Sequence, residues 1–286
     1  MILLTGASGK TGRAVIKALV AKGECVHAFV HRDHQVSAAR ALGAKEVSVG
    51  SLADVAALIR AAAEVQGIYH ICPNVSSAEV SYSKAVITAA LACGVKRVTF
   101  HSVLHPQIEA MPHHWDKLRV EELLLQSGLD VTILQPTSYM QNILGGWQSI
   151  MQEGVYRIPY PVETRLSLVD LEDVAEVAAL VLSEPGHVGA TYELVGTAPL
   201  SQVEIAQVLS RTLGRPVCAE AQSLDAWELL ARADGIGDYQ CNILVKMFRY
   251  CGNFGLTGNS NVLRWLLNRE PTSLADFAVR SLREAR

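Results

Sequence analysis

The stretch "ILLTGASGKTGRAV" sets three glycines, Gly6, Gly9 and Gly12, between a short apolar β-rich run and an amphipathic one. A strand that ends in glycines at this spacing and opens directly into a helix makes a tight turn. It also lets the backbone approach a ligand and turns the helix N-terminus toward an anion. The spacing therefore predicts a dinucleotide pyrophosphate on that N-terminus, with Ser8, Lys10 and Thr11 completing the loop.

The residues that follow repeat the same alternation. Apolar, β-rich runs predict strands over 2–5, 25–30, 46–49, 67–71, 97–101 and 130–134, and the stretches between them predict helices over 11–21, 35–42, 52–63, 77–93 and 114–127. This succession specifies a doubly wound parallel sheet of Rossmann type. The unbroken apolarity of "ILLT" and "VTIL" suits strands covered on both faces. After Pro136 the alternation lapses. Residues 139–153 and most of the chain beyond Ser201 read as helix, and "SQVEIAQVLSRTLG" carries a capping pair in Ser201 and Glu204 with a stop at Gly214. The expected division is an NAD(P)-binding domain over 1–150 and a smaller, mainly helical C-terminal lobe over 151–286. About 165–196, including "TYELV", is expected to return to the first sheet.

Composition narrows the function classes. Half of the 286 residues are hydrophobic, enough for a large core. The net charge of −3 offers no positive field for nucleic acid. No apolar run reaches the length of a membrane span. Six cysteines without a CxxC pair suggest reduced thiols. A strand that opens at Met1 leaves no space for a cleavable leader. A cytoplasmic monomer or homodimer acting on a small molecule is expected.

Ligands of such sheets lie over the carboxyl ends of the strands, so the loops there supply the remaining contacts. In "AFVHRDHQ", Arg32 offers a cation where a ribose 2′-phosphate would lie, whereas Asp33, the acidic partner an NAD site would use, comes one residue late. NADP(H) is the expected cofactor, with NAD(H) as the alternative. Leu52 and Ala53 in "GSLAD" fall beside the adenine, with Asp54 capping the next helix. Cys72, Pro73 and Asn74 in "HICPNVS" fall beside the nicotinamide ribose. Pro136, Tyr139 and Asn142 in "LQPTSYMQN" flank nicotinamide or substrate.

Taken together, "TGASGKTG", Arg32, "HHWDKLRVEELLLQSGLDVTILQPTSYMQN" and "LVDLEDVAEVAALVL" resemble the NmrA-like group of atypical short-chain dehydrogenases/reductases over nearly the whole chain. The resemblance implies a Rossmann fold, an NAD(P) site and a small lobe beside it. It implies either an NAD(P)H-dependent reductase of quinones and related compounds or a cofactor-binding redox sensor that works through a protein partner without turnover. Short-chain dehydrogenases usually rest their chemistry on a Tyr four residues before a Lys. Here Lys117 remains and His113 stands in the Tyr position. An imidazole titrates near neutrality, so His113 or His114 is expected as the general acid. The resemblance gives Lys117 the ribose contact and Ser102 a hydrogen bond to the substrate carbonyl.

Other readings of these residues stay open. Lys117 and Glu121 have the spacing of an ordinary helix pair. His101 and His105 bring further imidazoles to the same rim, but no carboxylate or cysteine completes a ligand spacing, so no metal is expected. Trp147, Trp227, Tyr239, Phe248, Tyr250 and Phe254 make the second lobe aromatic, which fits a flat, apolar substrate. "FRYCGNFGLTGNSN" reads as a mobile loop over the site. The favoured function is an NADPH-dependent reductase of a quinone, carbonyl or conjugated aromatic.

Overall fold

A computed structural model describes residues 1–284. The chain begins β1 (Ile2–Leu4), α1 (Lys10–Ala21), β2 (Val26–Val30), α2 (Val36–Ala41), β3 (Glu46–Val49), α3 (Val55–Ala62), β4 (Gly67–His70), α4 (Glu79–Ala92), β5 (Arg97–His101), α5 (Pro112–Gln126) and β6 (Asp130–Pro136). It continues through β7 (Ser138–Tyr139), α6 (Trp147–Glu153), β8 (Val155–Ile158), β9 (Arg165–Leu166), β10 (Leu168–Val169), α7 (Leu171–Ser183) and β11 (Thr191–Leu194). Last come β12 (Leu200–Ser201), α8 (Gln202–Leu213), β13 (Cys218–Ala221), α9 (Leu224–Ala233), α10 (Asp238–Phe254), α11 (Asn261–Leu267) and α12 (Leu274–Glu284).

Two compact units result. The first comprises Met1–Glu109, His113–Gln135 and Val174–Tyr192. It holds a sheet ordered β11-β6-β5-β4-β1-β2-β3. Its first six strands pair in parallel throughout. Amide bonds from Ile133 to Ala190 and from Thr137 to Leu194 advance in step, so β11 runs parallel to β6 as well. The sheet is the doubly wound Rossmann arrangement. Leu3, Ile68, Val98, Phe100 and Ile133 alternate onto one face, where Leu58 of α3, Val86 of α4 and Leu124 of α5 cover them. Helix α1 buries Gly12, Val15, Ile16 and Leu19, one stripe at helical spacing. The strand order reverses between β1 and β4, which opens a crevice at their carboxyl ends.

The second unit comprises Ala110–Pro112, Pro136–Asp173 and the described residues from Glu193 onward, and it is mainly helical. Strands β8 and β13 pair in parallel within it, and α12 packs on α8. The Ser201 hydroxyl accepts from the Glu204 amide at 3.2 Å and the Glu204 carboxylate accepts from the Ser201 amide at 2.7 Å, a complete capping box. Gly214 ends α8 in the left-handed conformation. "FRYCGNF", expected as a mobile loop, instead finishes α10, which runs to Phe254 before Gly255 stops it. Hydrophobic Met247, Phe248 and Cys251 at helical spacing explain the difference. Among the described residues no helix is long and apolar enough to cross a membrane.

Candidate active site

The crevice of the first unit is built on the glycine loop. Gly6 adopts φ +63°, and a Cβ there would meet the Ile71 carbonyl at 2.9 Å, so β1 and the end of β4 close on each other only without a side chain. A Cβ on Gly12 would lie 2.3 Å from the Gly6 carbonyl. That cradle is what a pyrophosphate-binding turn requires. Gly9 caps α1 without a side-chain hydrogen bond, and Ser8 and Lys10 are exposed beside it, with Thr11 half-buried. The first amides of α1 are therefore available to an anion.

At the end of β2, the Gln35 side chain accepts from the His31 and Arg32 amides at 3.1 and 3.0 Å and fixes the turn. Arg32 is exposed, and its guanidinium makes no hydrogen bond or ion pair among the described residues. At the end of β3, Leu52 packs partly against the core, Ala53 is exposed, and Asp54 accepts from the Ala57 amide at 3.0 Å. After β4, Pro73 is exposed while the Cys72 thiol turns inward, within 3.6 Å of His70 Nε2 and 3.8 Å of Ser83 Oγ. Burial, reinforced by the Glu79 charge, pushes that thiol up to about 12, which disfavours the thiolate. Val75 in the same loop holds φ +51°, a strained conformation for a β-branched residue.

Lys117 lies on α5 with its ammonium at the carboxyl end of β5. Its Nζ is 2.9 Å from Glu79 Oε1, donates to the His101 carbonyl at 3.3 Å, and sits 5.2 Å from the centre of the Phe100 ring. The helix pair with Glu121 does not form. Glu121 turns instead to Ser102 and Gln135: it accepts a short hydrogen bond from the Ser102 hydroxyl, and Gln135 Nε2 donates to its two oxygens at 2.9 and 3.1 Å. Ser102 is buried by this arrangement. Burial raises the Glu121 carboxyl against the lowering by these hydrogen bonds.

The histidines depart from the expectation of a near-neutral acid. Burial, with the His114 and Lys117 charges, holds His113 down to about 3. His114 is held at about 4, chiefly by burial, although its Nδ1 lies 3.3 Å from the His105 carbonyl, a bond that favours the protonated ring. The two rings meet edge to face at 4.6 Å. An Nδ1–H given to that carbonyl leaves Nε2 of His114 as an acceptor. Neither ring carries a surplus proton at neutral pH. His101 is turned inward rather than to a rim, its Nδ1 2.7 Å from the Tyr69 hydroxyl, and burial beside Lys117 holds it at about 3. His70 lies likewise inside, held at about 3.

The other sequence candidates fall in the second unit. Pro136 ends β6, Tyr139 pairs with Val169 in the short β7–β10 ladder, and Asn142 donates to Ser138 Oγ at 3.3 Å. Trp227 meets Phe248 edge to face at 4.7 Å, and a cavity of about 610 Å³ within this unit is lined by Tyr160, Phe248, Arg249 and Asn253, among others. Sequence reasoning missed Glu79. A usable signal existed: Glu79, Ser83, Val86 and Ala90 form the buried stripe of α4, and a carboxylate on an apolar stripe calls for a partner.

The model of the NmrA-like family matches residues 1–282. Quinone oxidoreductase 2 of Escherichia coli (strain K12) is 28% identical over 96% of this chain and 96% of its own. The NAD(P)H azoreductase of Xenophilus azovorans is 29% identical over 97% and 96%. The crystal structure of the Escherichia coli NADPH-dependent quinone oxidoreductase complexed with NADPH superposes with a TM-score of 0.86 at 26% identity, covering 99% of this chain and 100% of the other.

Proposed function

The chain belongs to the NmrA-like family, and from that premise we propose how it works as an NADPH-dependent oxidoreductase that reduces a quinone, carbonyl or conjugated aromatic small molecule. The observation that carries the reading is the glycine cradle at the β1–β4 switch point, where a Cβ on Gly12 would fill the turn. Gly6, Gly9, Gly12 and the amides of Ser8, Lys10 and Thr11 would hold the pyrophosphate, and Arg32, whose guanidinium is otherwise unengaged, the 2′-phosphate. Leu52 and Ala53 would border the adenine. Pro73 and the backbone at Cys72 would border the nicotinamide half.

NADPH supplies the hydride when bound. The chain supplies binding, orientation and a hydrogen-bond donor. Two donors of the Lys117 ammonium are directed at Glu79 and the His101 carbonyl, which leaves a third for the cofactor ribose or the substrate oxygen. Lys117 is then the N–H donor directed at the reacting groups, since burial holds His113 and His114 neutral at pH 7. The two rings shape the wall beside it. Ser102 supports the site through Glu121.

The substrate is a small molecule, and the net charge of −3 offers no positive field for nucleic acid. The test is NADPH oxidation followed by absorbance against quinones, enones, aldehydes and azo dyes. Turnover that collapses in Lys117→Met supports the reading. Tight NADPH binding with no turnover on any of the four classes would overturn it in favour of a redox sensor.

A further inference from the structure

We propose that Glu79 is the positioning residue of this site, the group that sets where the Lys117 ammonium stands. The inference rests on the role given to Lys117 above. Glu79 opens α4, yet it is only 3% exposed, and its Oε1 lies 2.9 Å from Lys117 Nζ. A buried carboxylate is costly unless paired, and among the described residues Lys117 is the cation paired with it. A lysine carries four flexible bonds, and its ammonium is a point charge with no preferred direction. What gives this one a direction is a two-point hold, on the Glu79 carboxylate and on the last carbonyl of β5.

The hold is itself fixed from below. The Glu79 carbonyl accepts from Ser83 Oγ at 2.9 Å and lies 3.7 Å from Cys72 Sγ. Ser83 Oγ is 2.9 Å from His70 Nε2, and His70 Nδ1 is 2.8 Å from Thr5 Oγ1, one residue before Gly6. The backbone that carries the Glu79 carboxylate is thus tied to the root of the glycine loop by a buried run of polar contacts through Ser83, His70 and Thr5. With Glu79 removed, the ammonium keeps one anchor and swings, and a displacement of about 1 Å at a reacting group costs on the order of a hundredfold in rate.

A double-mutant cycle tests this, with Glu79→Gln, Lys117→Met and the pair, read on kcat with a benzoquinone acceptor and, separately, on NADPH affinity by calorimetry. The expected result is a fall in kcat of about ten- to a hundredfold in Glu79→Gln, with KM for the quinone within about threefold. In the Lys117→Met background the same substitution should change neither kcat nor affinity further. Glu79→Asp, which keeps the charge on a shorter arm, should recover part of the loss. A purely structural carboxylate would give the same fold-loss in both backgrounds, and that result overturns the proposal. Glu79→Gln with wild-type kcat overturns it as well. Should Glu79→Gln fold poorly, the pair variant, which leaves no unpaired buried charge, decides: a kcat below that of Lys117→Met alone sinks the idea, and an equal one upholds it. If the wild type turns over no acceptor, the reductase reading fails by itself, and Glu79 is judged on the affinity cycle, where additive losses refute it.

Discussion

At the scale of single residues, the site separates groups whose role is local from groups whose role the fold confers. Arg32 is local: it follows β2, is exposed, and has no competing partner among the described residues. Arg32→Ala should weaken NADPH binding by about 1.5–3 kcal/mol and leave NADH unchanged, measured by calorimetry with both cofactors. The histidines are the opposite case. Spacing put His113 and His114 beside Lys117, but burial makes them neutral, and no pattern in "MPHHWDK" reports burial. Their consequence is for stability. His70, His101 and His113 are held at about 3 and His114 at about 4. Above pH of about 6.5 these rings are neutral whether the chain is folded or not. Below it the unfolded chain takes up protons that the folded one refuses, so stability is full above that pH and is lost as pH falls toward 4. Each ring contributes a slope of up to about 1.4 kcal/mol per pH unit. Urea midpoints between pH 7 and 5 should show the decline, and His70→Asn should flatten it. A pH-independent midpoint would contradict the burial of these rings.

At the scale of elements, much was legible because the signals are short in range. The glycine triplet, the βα alternation and the Ser201–Glu204 cap lie within a few residues of what they specify, and β3, β5 and the capped α8 appear where the pattern places them. The Lys117–Glu79 pair was not legible: its partners sit on α5 and α4 and meet only because the sheet sets those helices side by side. The end of α10 was misread because its Gly and Asn outweighed the apolar stripe beneath them. The tight loop element carries its own prediction. Gly12→Ala would force a carbon against the Gly6 carbonyl, and it should cost about 1–3 kcal/mol of stability together with a loss of NADPH affinity. Thermal melts with and without NADPH check both. A stabilised Ala variant, as expected of Gly→Ala in a plain helix, would mean that the cradle is not closed.

At the scale of the whole molecule, the second unit holds two fully buried carboxylates, Asp170 and Asp173. Asp170 accepts from Arg280 at 2.6 Å and from Gln141 at 2.8 Å, and Asp173 accepts from Arg269, from the Thr272 amide and from its hydroxyl at 2.7–2.9 Å. These bonds tie the C-terminal helical region to the start of α7. Asp173→Ala should destabilise the protein by about 1–3 kcal/mol in denaturant melts, because it removes the shared acceptor of the Thr272 amide and hydroxyl and of the half-exposed Arg269. The sheet has an implication of a different kind. Six of its strands are complete once Pro136 has been made, but the strand that covers β6 begins only at Thr191. During synthesis, therefore, "VTILQP" stands as a bare, apolar sheet edge while the intervening chain is still being added, an open template for pairing with another nascent copy. Until Thr191 to Leu194 have been added, that edge is exposed to pairing and aggregation.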